Sequence, residues 1–94
     1  ISIKATKREK VGTRAAMRER SEGRLPAVIY GHGKPPEHVT IDTHAFEQAV
    51  KHHARVFRIE HGGSETIQAL LKQLQWDALG EVPMHADFTR LEVG

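Results

Sequence analysis

Apolar and polar residues alternate with a period of two through four short segments of the chain, which is the pattern of strands with one buried face. The inward positions of these segments are Ile1, Ile3 and Ala5; Val39 and Ile41; Phe57 and Ile59; and Met84, Ala86 and Phe88. A fifth segment, 26–30, is apolar without alternation, as in a strand that is buried on both faces. The pattern therefore predicts at least five strands.

A sixth strand is predicted over 64–76, after a Gly62-Gly63 pair that favours a hairpin turn. Its apolar residues change parity between Leu71 and Leu74. Because side chains in a regular strand point to alternate faces, this change of phase predicts a bulge or burial on both faces. By contrast, the glycines and paired prolines of 31–36 predict an irregular loop.

Two short segments have helical character. Residues 14–22 are nearly all strong helix formers, with Thr13 as the expected N-cap and Gly23 as the stop. A second helix is predicted from Asp42 or Thr43 to about His53, with Phe46, Ala49 and Val50 on its apolar face. Taken together, the segments predict a mainly β (α+β) fold, either a small closed barrel or a strongly twisted sheet, in one domain over 1–94.

The first helix has too few apolar residues to dock firmly on a core, since it offers only Ala15, Ala16 and Met17. It lies in the basic third of the chain. Residues 1–24 hold eight lysines and arginines against three acidic residues, a net charge of +5, whereas the rest of the chain has a net charge of −3. A polyanion is therefore the expected partner on one side of the molecule.

Other classes of site find little support in the composition. There is no cysteine, which excludes disulfides and thiolate metal sites, and the seven histidines lack paired ligand spacing. We therefore expect no metal and no cofactor. No apolar run reaches the length of a membrane span, so we expect no membrane partner.

Two separated motifs resemble those of one known family. Residues 12–31, GTRAAMRERSEGRLPAVIYG, are similar to the signature of the bacterial 5S rRNA-binding ribosomal protein family, which includes the general stress protein Ctc. The family's closing motif, His-x-Asp-Phe, is matched by residues 85–88, and a Lys-x-x-Gln segment is matched by Lys72 and Gln75. Two positions depart from the family pattern: Met17 stands where arginine is usual, and Glu19 where leucine is usual.

The resemblance implies a six-stranded barrel with two or three short helices that binds the loop E region of 5S rRNA in the large ribosomal subunit. It also implies a cytoplasmic protein that is not an enzyme and has no small-molecule substrate. The residues that it leads us to expect at the rRNA are Arg8, Thr13, Arg14, Arg18, Arg20, Tyr30, Lys72, Gln75, His85 and Asp87.

His85 and Asp87 share one face of the last predicted strand, and their chemistry suits RNA. A carboxylate repels phosphate, so Asp87 would face donors such as base amino groups or 2′-hydroxyls, which the wide minor groove of RNA displays. The arginines of the first helix would supply phosphate contacts that position the protein. A His–Asp pair could also serve as a general base, but the chain offers no nucleophile in a suitable setting.

Two alternatives remain open at the level of the sequence. One is a stress-related RNA-binding protein of the Ctc type, in which this domain precedes a second one and 91–94 begins the continuation. The other is an interaction module that binds a protein through an exposed sheet edge and has no nucleic-acid partner.

Overall fold

The protein is described from a computed structural model, which covers residues 1–8, 12–61 and 65–91. Its six strands are β1 (Ser2–Lys7), β2 (Arg24–Gly31), β3 (Lys34–Asp42), β4 (Val56–His61), β5 (Glu65–Trp76) and β6 (Pro83–Arg90). Two helices, α1 (Thr13–Ser21) and α2 (Thr43–Lys51), separate β1 from β2 and β3 from β4. Neither helix is long and apolar enough to cross a membrane.

The six strands form a closed barrel in the order β1-β3-β2-β6-β5-β4. Two pairs are parallel, β1 with β4 and β2 with β6, and the other four are antiparallel. The mainly β, six-stranded barrel with short helices is thus confirmed. Because every described strand has a neighbour on both sides, these strands offer no free edge to a partner, and the alternative of binding through a sheet edge loses its basis.

The predictions that Ile1 and Met84 point into the core are wrong. Ile1 precedes β1 and is 61% exposed, and Met84 is only half-buried at the point where the β5–β6 register shifts. The other inward positions that alternation predicts form the core. Its largest members are Phe46 from α2, Phe57 from β4 and Phe88 from β6, all fully buried. Their ring centroids lie 5.4 to 6.1 Å apart, in one stacked and two edge-to-face pairs. Segment 26–30 is buried on both faces as far as Ile29, as its unbroken apolar run predicts.

Helix α2 follows its predicted design. The carboxylate of Asp42 accepts a hydrogen bond of 2.8 Å from the backbone N–H of Ala45, so Asp42 is the N-cap. Phe46 and Ala49 are buried, and Val50 packs against the core. The helix closes one end of the apolar interior.

The prediction of an irregular loop over 31–36 is wrong. Residues His32 and Gly33 form a two-residue turn with φ of 58° and 66°, and Gly31 pairs directly with Lys34. Positive φ at both central positions gives the turn the twist that hairpins favour, and it lets β3 begin at Lys34. Pro35 and Pro36 are accommodated where the β2–β3 register shifts, opposite Tyr30.

The start of α1 also differs from the prediction, since Thr13 is the first helical residue and Gly12 is the N-cap. Gly12 has a φ of 138°, which a side chain would disfavour, and no side-chain hydrogen bond caps the helix. At the other end Gly23 has a φ of 80° and ends the helix as predicted.

The phase change in β5 is a bulge. Leu71 pairs with Phe88 and Gln73 with Asp87, so Lys72 is the extra residue on β5. Leu71 and Leu74 consequently both pack against the core. The predicted Gly62-Gly63 hairpin lies outside the described residues.

Candidate nucleic-acid interface

One polar surface runs across the outer side of β5 and β6. Gln73 lies opposite Asp87, and Gln75 lies opposite His85, in the antiparallel ladder. We call these four residues the polar sheet face. On its other side Asp87 is level with Val28 of β2, which is in turn level with His38 of β3. Gln73, Asp87, Val28 and His38 therefore lie in one row across four neighbouring strands, with Val28 buried between Asp87 and His38.

His85 and Asp87 are partly buried and in contact with each other. The imidazole Nδ1 lies 3.1 Å from Oδ1 of Asp87, and the two side chains are 28% and 22% exposed. Burial lowers the pKa of His85 below its usual 6.5, and electrostatic interactions with Arg8, His38 and Arg20 act in the same direction. The Asp87 carboxylate opposes this shift without reversing it.

The lowered pKa and the contact together define what this pair can bind. At neutral pH the ring is uncharged, and its single proton is favoured on Nδ1, because a lone pair there would face the carboxylate. The other ring nitrogen, Nε2, then carries a lone pair and can accept a hydrogen bond. With the carboxylate oxygens of Asp87, it forms a set of acceptors that matches hydrogen-bond donors on a ligand.

Helix α1 lies against the barrel next to this surface. The Arg20 guanidinium donates to the main-chain carbonyl of Met84 at 3.3 Å, which ties the end of the helix to the start of β6. Thr13, Arg14 and Arg18 are exposed, and the two arginines are four residues apart, on one side of the helix. The guanidinium groups of Arg14 and Arg18 are therefore available to phosphate.

Arg8 is placed differently from the other predicted contact residues. Its Nε donates to Oε2 of Glu19 at 3.1 Å, and its Nη2 lies 2.9 Å from Oε1 of the same carboxylate. Both side chains are more than nine-tenths buried. A direct contact between Arg8 and rRNA stays a prediction, but in this structure its guanidinium is engaged within the protein.

The remaining predicted residues, Lys72 and Tyr30, also face outward, but they lie farther along the strands from His85 and Asp87. Lys72 is exposed in the bulge next to Gln73, which is how both Lys72 and Gln75 can face outward on one strand. Tyr30 is 42% exposed and pairs with Thr89, near the far end of β6. The structure thus groups Gln75, His85 and Asp87 closely, with Lys72 beside them and Tyr30 at the periphery.

Two residues of this surface, Gln73 and His38, were not singled out from the sequence. Gln73 is found only when the bulge is placed at Lys72, because an unbroken strand would put it on the same inward face as Leu71. His38 has a weak signal in the alternation of β3, where Val39 and Ile41 point inward and His38 outward. Its relation to Asp87 depends on the parallel pairing of β2 with β6, which a sequence pattern does not reveal.

Within residues 1–8, 12–61 and 65–91, no three His, Asp or Glu side chains are grouped so that they could hold a metal ion. The surface is instead defined by exposed arginines on a short helix and by acceptors on an adjoining sheet. This combination suits a protein that binds structured RNA, because the cations can contact phosphates and the acceptors can contact 2′-hydroxyls and base amino groups.

Comparison with known proteins agrees with this class. Residues 3–88 match the model of the Ribosomal L25p family, and the chain belongs to that family. It is 37% identical over 91 residues to a large ribosomal subunit protein bL25 from Rhodopirellula baltica, covering 97% of this chain and 42% of that protein. It is also 38% identical over 95 residues to bL25 of Methylobacterium nodulans, covering 98% of this chain and 44% of that protein.

A third relative, bL25 of Cutibacterium acnes, is 37% identical over 94 residues and is covered to 46% of its length. The chain therefore spans less than half the length of these relatives. The resemblance that was identified from residues 12–31 and 85–88 is confirmed at the level of the family.

Proposed function

We propose that this protein is a structural component of the large ribosomal subunit in the bacterial cytoplasm and that it binds 5S rRNA at loop E. Membership in the Ribosomal L25p family supports the ribosomal role. The observation that carries the choice of RNA surface is the acceptor set of His85 and Asp87 on β6, the strand to which Arg20 ties the arginine-bearing helix α1. A Ctc-type stress protein would use the same surface, so the proposal covers both roles.

The proposed mechanism divides the work between the two elements. Arg14 and Arg18 neutralise phosphates and fix the position of the protein without reading sequence. The polar sheet face, with Lys72 next to it, approaches the minor groove, where His85 and Asp87 accept hydrogen bonds from base amino groups or 2′-hydroxyls. Thr13, Arg20 and Tyr30 extend the contact at the two ends of this surface. No bond is made or broken, so the protein acts by binding alone.

Two substitutions distinguish the phosphate contacts that position the protein from the contacts that recognise base amino groups or 2′-hydroxyls. Replacing Arg18 with Ala removes one exposed cation, so binding should weaken on all RNAs alike. The slope of log K against log salt should become shallower by about 0.9 if Arg18 neutralises one phosphate. Arg58→Ala, at an exposed position on β4, is the matched control and should leave the slope unchanged.

The Asp87→Asn substitution tests reading. It replaces one acceptor oxygen with a donor, so a donor on the RNA is left poorly matched, at a cost of about 1–3 kcal/mol on a loop E fragment. Binding to a plain duplex of equal length, and the salt slope, should hardly change. Binding titrations of both RNAs across a salt series give these quantities. Unchanged affinity of Asp87→Asn for loop E would show that this face does not read the RNA.

A further inference from the structure

Helix α1 brings only small apolar side chains to the barrel, the half-buried Ala15 and Ala16. Its only buried residue is Glu19, and Met17, its largest apolar side chain, is 60% exposed. A nine-residue helix is marginal in water on its own, because nucleation costs more than its few hydrogen bonds return. The formed helix therefore needs anchors that the apolar pattern does not provide.

The strongest anchor among the described residues is the ion pair between Glu19 and Arg8. The carboxylate meets the guanidinium through both oxygens, at 3.1 and 2.9 Å, and the side chains are only 9% and 4% exposed. Arg8 is itself fixed to the barrel, since its backbone N–H donates to the carbonyl of His38 on β3 at 2.9 Å. The pair thus links the last turn of α1 to β3.

Burial makes this pair different from the exposed ion pair just beyond the helix. Each of the two charges would be costly to bury alone, so the helix and Arg8 are favoured in the arrangement that keeps them together. The pair of Arg24 with Glu22, just beyond the helix, is by contrast 42% and 50% exposed and is screened by water. It contributes little to where α1 lies.

We propose that the Arg8–Glu19 ion pair docks α1 on the barrel before RNA binds, and that Arg8 and Glu19 are positioning residues for the exposed arginines Arg14 and Arg18. This inference rests on the proposed function for its consequence in RNA binding, but docking itself is a property of the free protein. Glu19, which stands where the family usually has leucine, replaces an apolar contact with a charged one. Arg8 then acts on RNA through Glu19.

Hydrogen exchange of the free protein tests the docking. In Glu19→Gln the buried guanidinium loses its counter-charge, so amides of α1 should exchange at least about tenfold faster than in wild type. Amides of β2 and β6 should keep their protection, which shows that the barrel is intact. Glu22→Gln is the matched control and should leave α1 unchanged. Equal protection of α1 in Glu19→Gln and wild type would overturn the proposal.

A double substitution, Arg8→Met with Glu19→Leu, tests positioning. Apolar side chains of similar size can replace a buried ion pair without loss of structure, so α1 should regain its protection. If the pair only positions the helix, the double variant should bind a loop E fragment within about threefold of wild type, with the same salt slope. Restored protection with weakened binding and a slope shallower by about 0.9 would instead make Arg8 a direct phosphate contact and overturn the proposal.

Failure of the proposed function has a different signature. Wild-type protein would then bind loop E no better than plain duplex, whatever the state of α1. The exchange rates of the free variants would still decide, in that case, whether the ion pair docks the helix.

Discussion

At the scale of single residues, Phe88 and Asp87 show how neighbours on one strand have opposite roles. Phe88 is fully buried and contacts both other phenylalanines of the core, whereas Asp87 points outward. We expect Phe88→Ala to lower the free energy of unfolding by about 3–5 kcal/mol, from lost burial and the cavity left behind. Asp87→Ala should change it by less than about 1 kcal/mol. Urea titrations in which Asp87→Ala proves the more destabilising would contradict this assignment of the strand's faces.

His85 should make stability depend on pH. Its pKa in the folded protein is lowered, chiefly by burial, so between that pKa and the unfolded value near 6.5 the unfolded chain binds more protons than the folded one. The free energy of unfolding should therefore fall as the pH drops below about 6.5. Asp87 on the same strand, Arg8 after β1, His38 on β3 and Arg20 on α1 are the charged and titratable groups that act on the ring.

The comparison that isolates His85 is with His85→Gln, which cannot titrate. Urea titrations at several values from pH 8 to pH 5 should show wild type losing more stability than this variant as the pH falls. His44→Gln, at an exposed position on α2, is the control and should follow the wild-type profile. A steeper acid loss in His85→Gln than in wild type would mean that the ring is stabilised in its charged form.

At the scale of elements, the bulge in β5 can be tested by deletion. Removing Lys72 leaves Leu71 inward, Gln73 outward and Leu74 inward, which is the alternation of a regular strand. We therefore expect the deletion of Lys72 to cost only about 1 kcal/mol, from the lost bend. Deleting Gln68 instead breaks the alternation between Ile67 and Ala69 and should cost more than about 3 kcal/mol, the equivalent of one or two exposed apolar side chains.

Thermal or urea unfolding of the two deletion variants gives the comparison. Equal destabilisation by both would mean that the bend at Lys72, and not the parity of the side chains, is what the barrel requires of β5.

Elements that are determined by residues close to one another in the chain could be predicted from the sequence. Asp42 caps α2 through a bond three residues away, and the alternation in β4 and β6 assigns Ile59 and Phe88 to the core. The turn at His32-Gly33 could not be predicted, because Gly and Pro composition indicates a break in the chain and does not give the dihedral angles.

In the candidate site, too, only the relations between residues close together in the chain could be predicted. The shared parity of His85 and Asp87 follows from their spacing on one strand. The contact of Arg8 with Glu19 joins residues eleven apart, across residues 9–11, and neither residue alone indicates burial. Charged side chains are normally exposed, so a buried pair is invisible until both partners are placed.

At the scale of the whole molecule, the order of strands should make folding slow. Both parallel pairs join distant parts of the chain, since Ile3 pairs with Ile59 and Ala27 with Ala86. The entropy of closing such long loops is lost before the pairing is gained, so we expect refolding on a timescale of roughly milliseconds to seconds. Stopped-flow fluorescence of Trp76, the single tryptophan, can measure it. Refolding within microseconds would contradict the control by long-range pairing.

The position of β2 between β3 and β6 has a consequence for the protein as it is being made. Synthesis proceeds from the N-terminus, so β2 and β3 can pair early, while the other side of β2 waits for 83–90. At about 5–20 residues per second, the 48 residues from the end of β3 to the end of β6 take roughly 2–10 s. During that time an apolar strand containing Val28 and Ile29 has unpaired backbone groups, which can recruit strands from other nascent chains. Slow codons between β3 and β6 would lengthen this exposure. A lower rate of translation over this stretch should therefore decrease the yield of soluble protein.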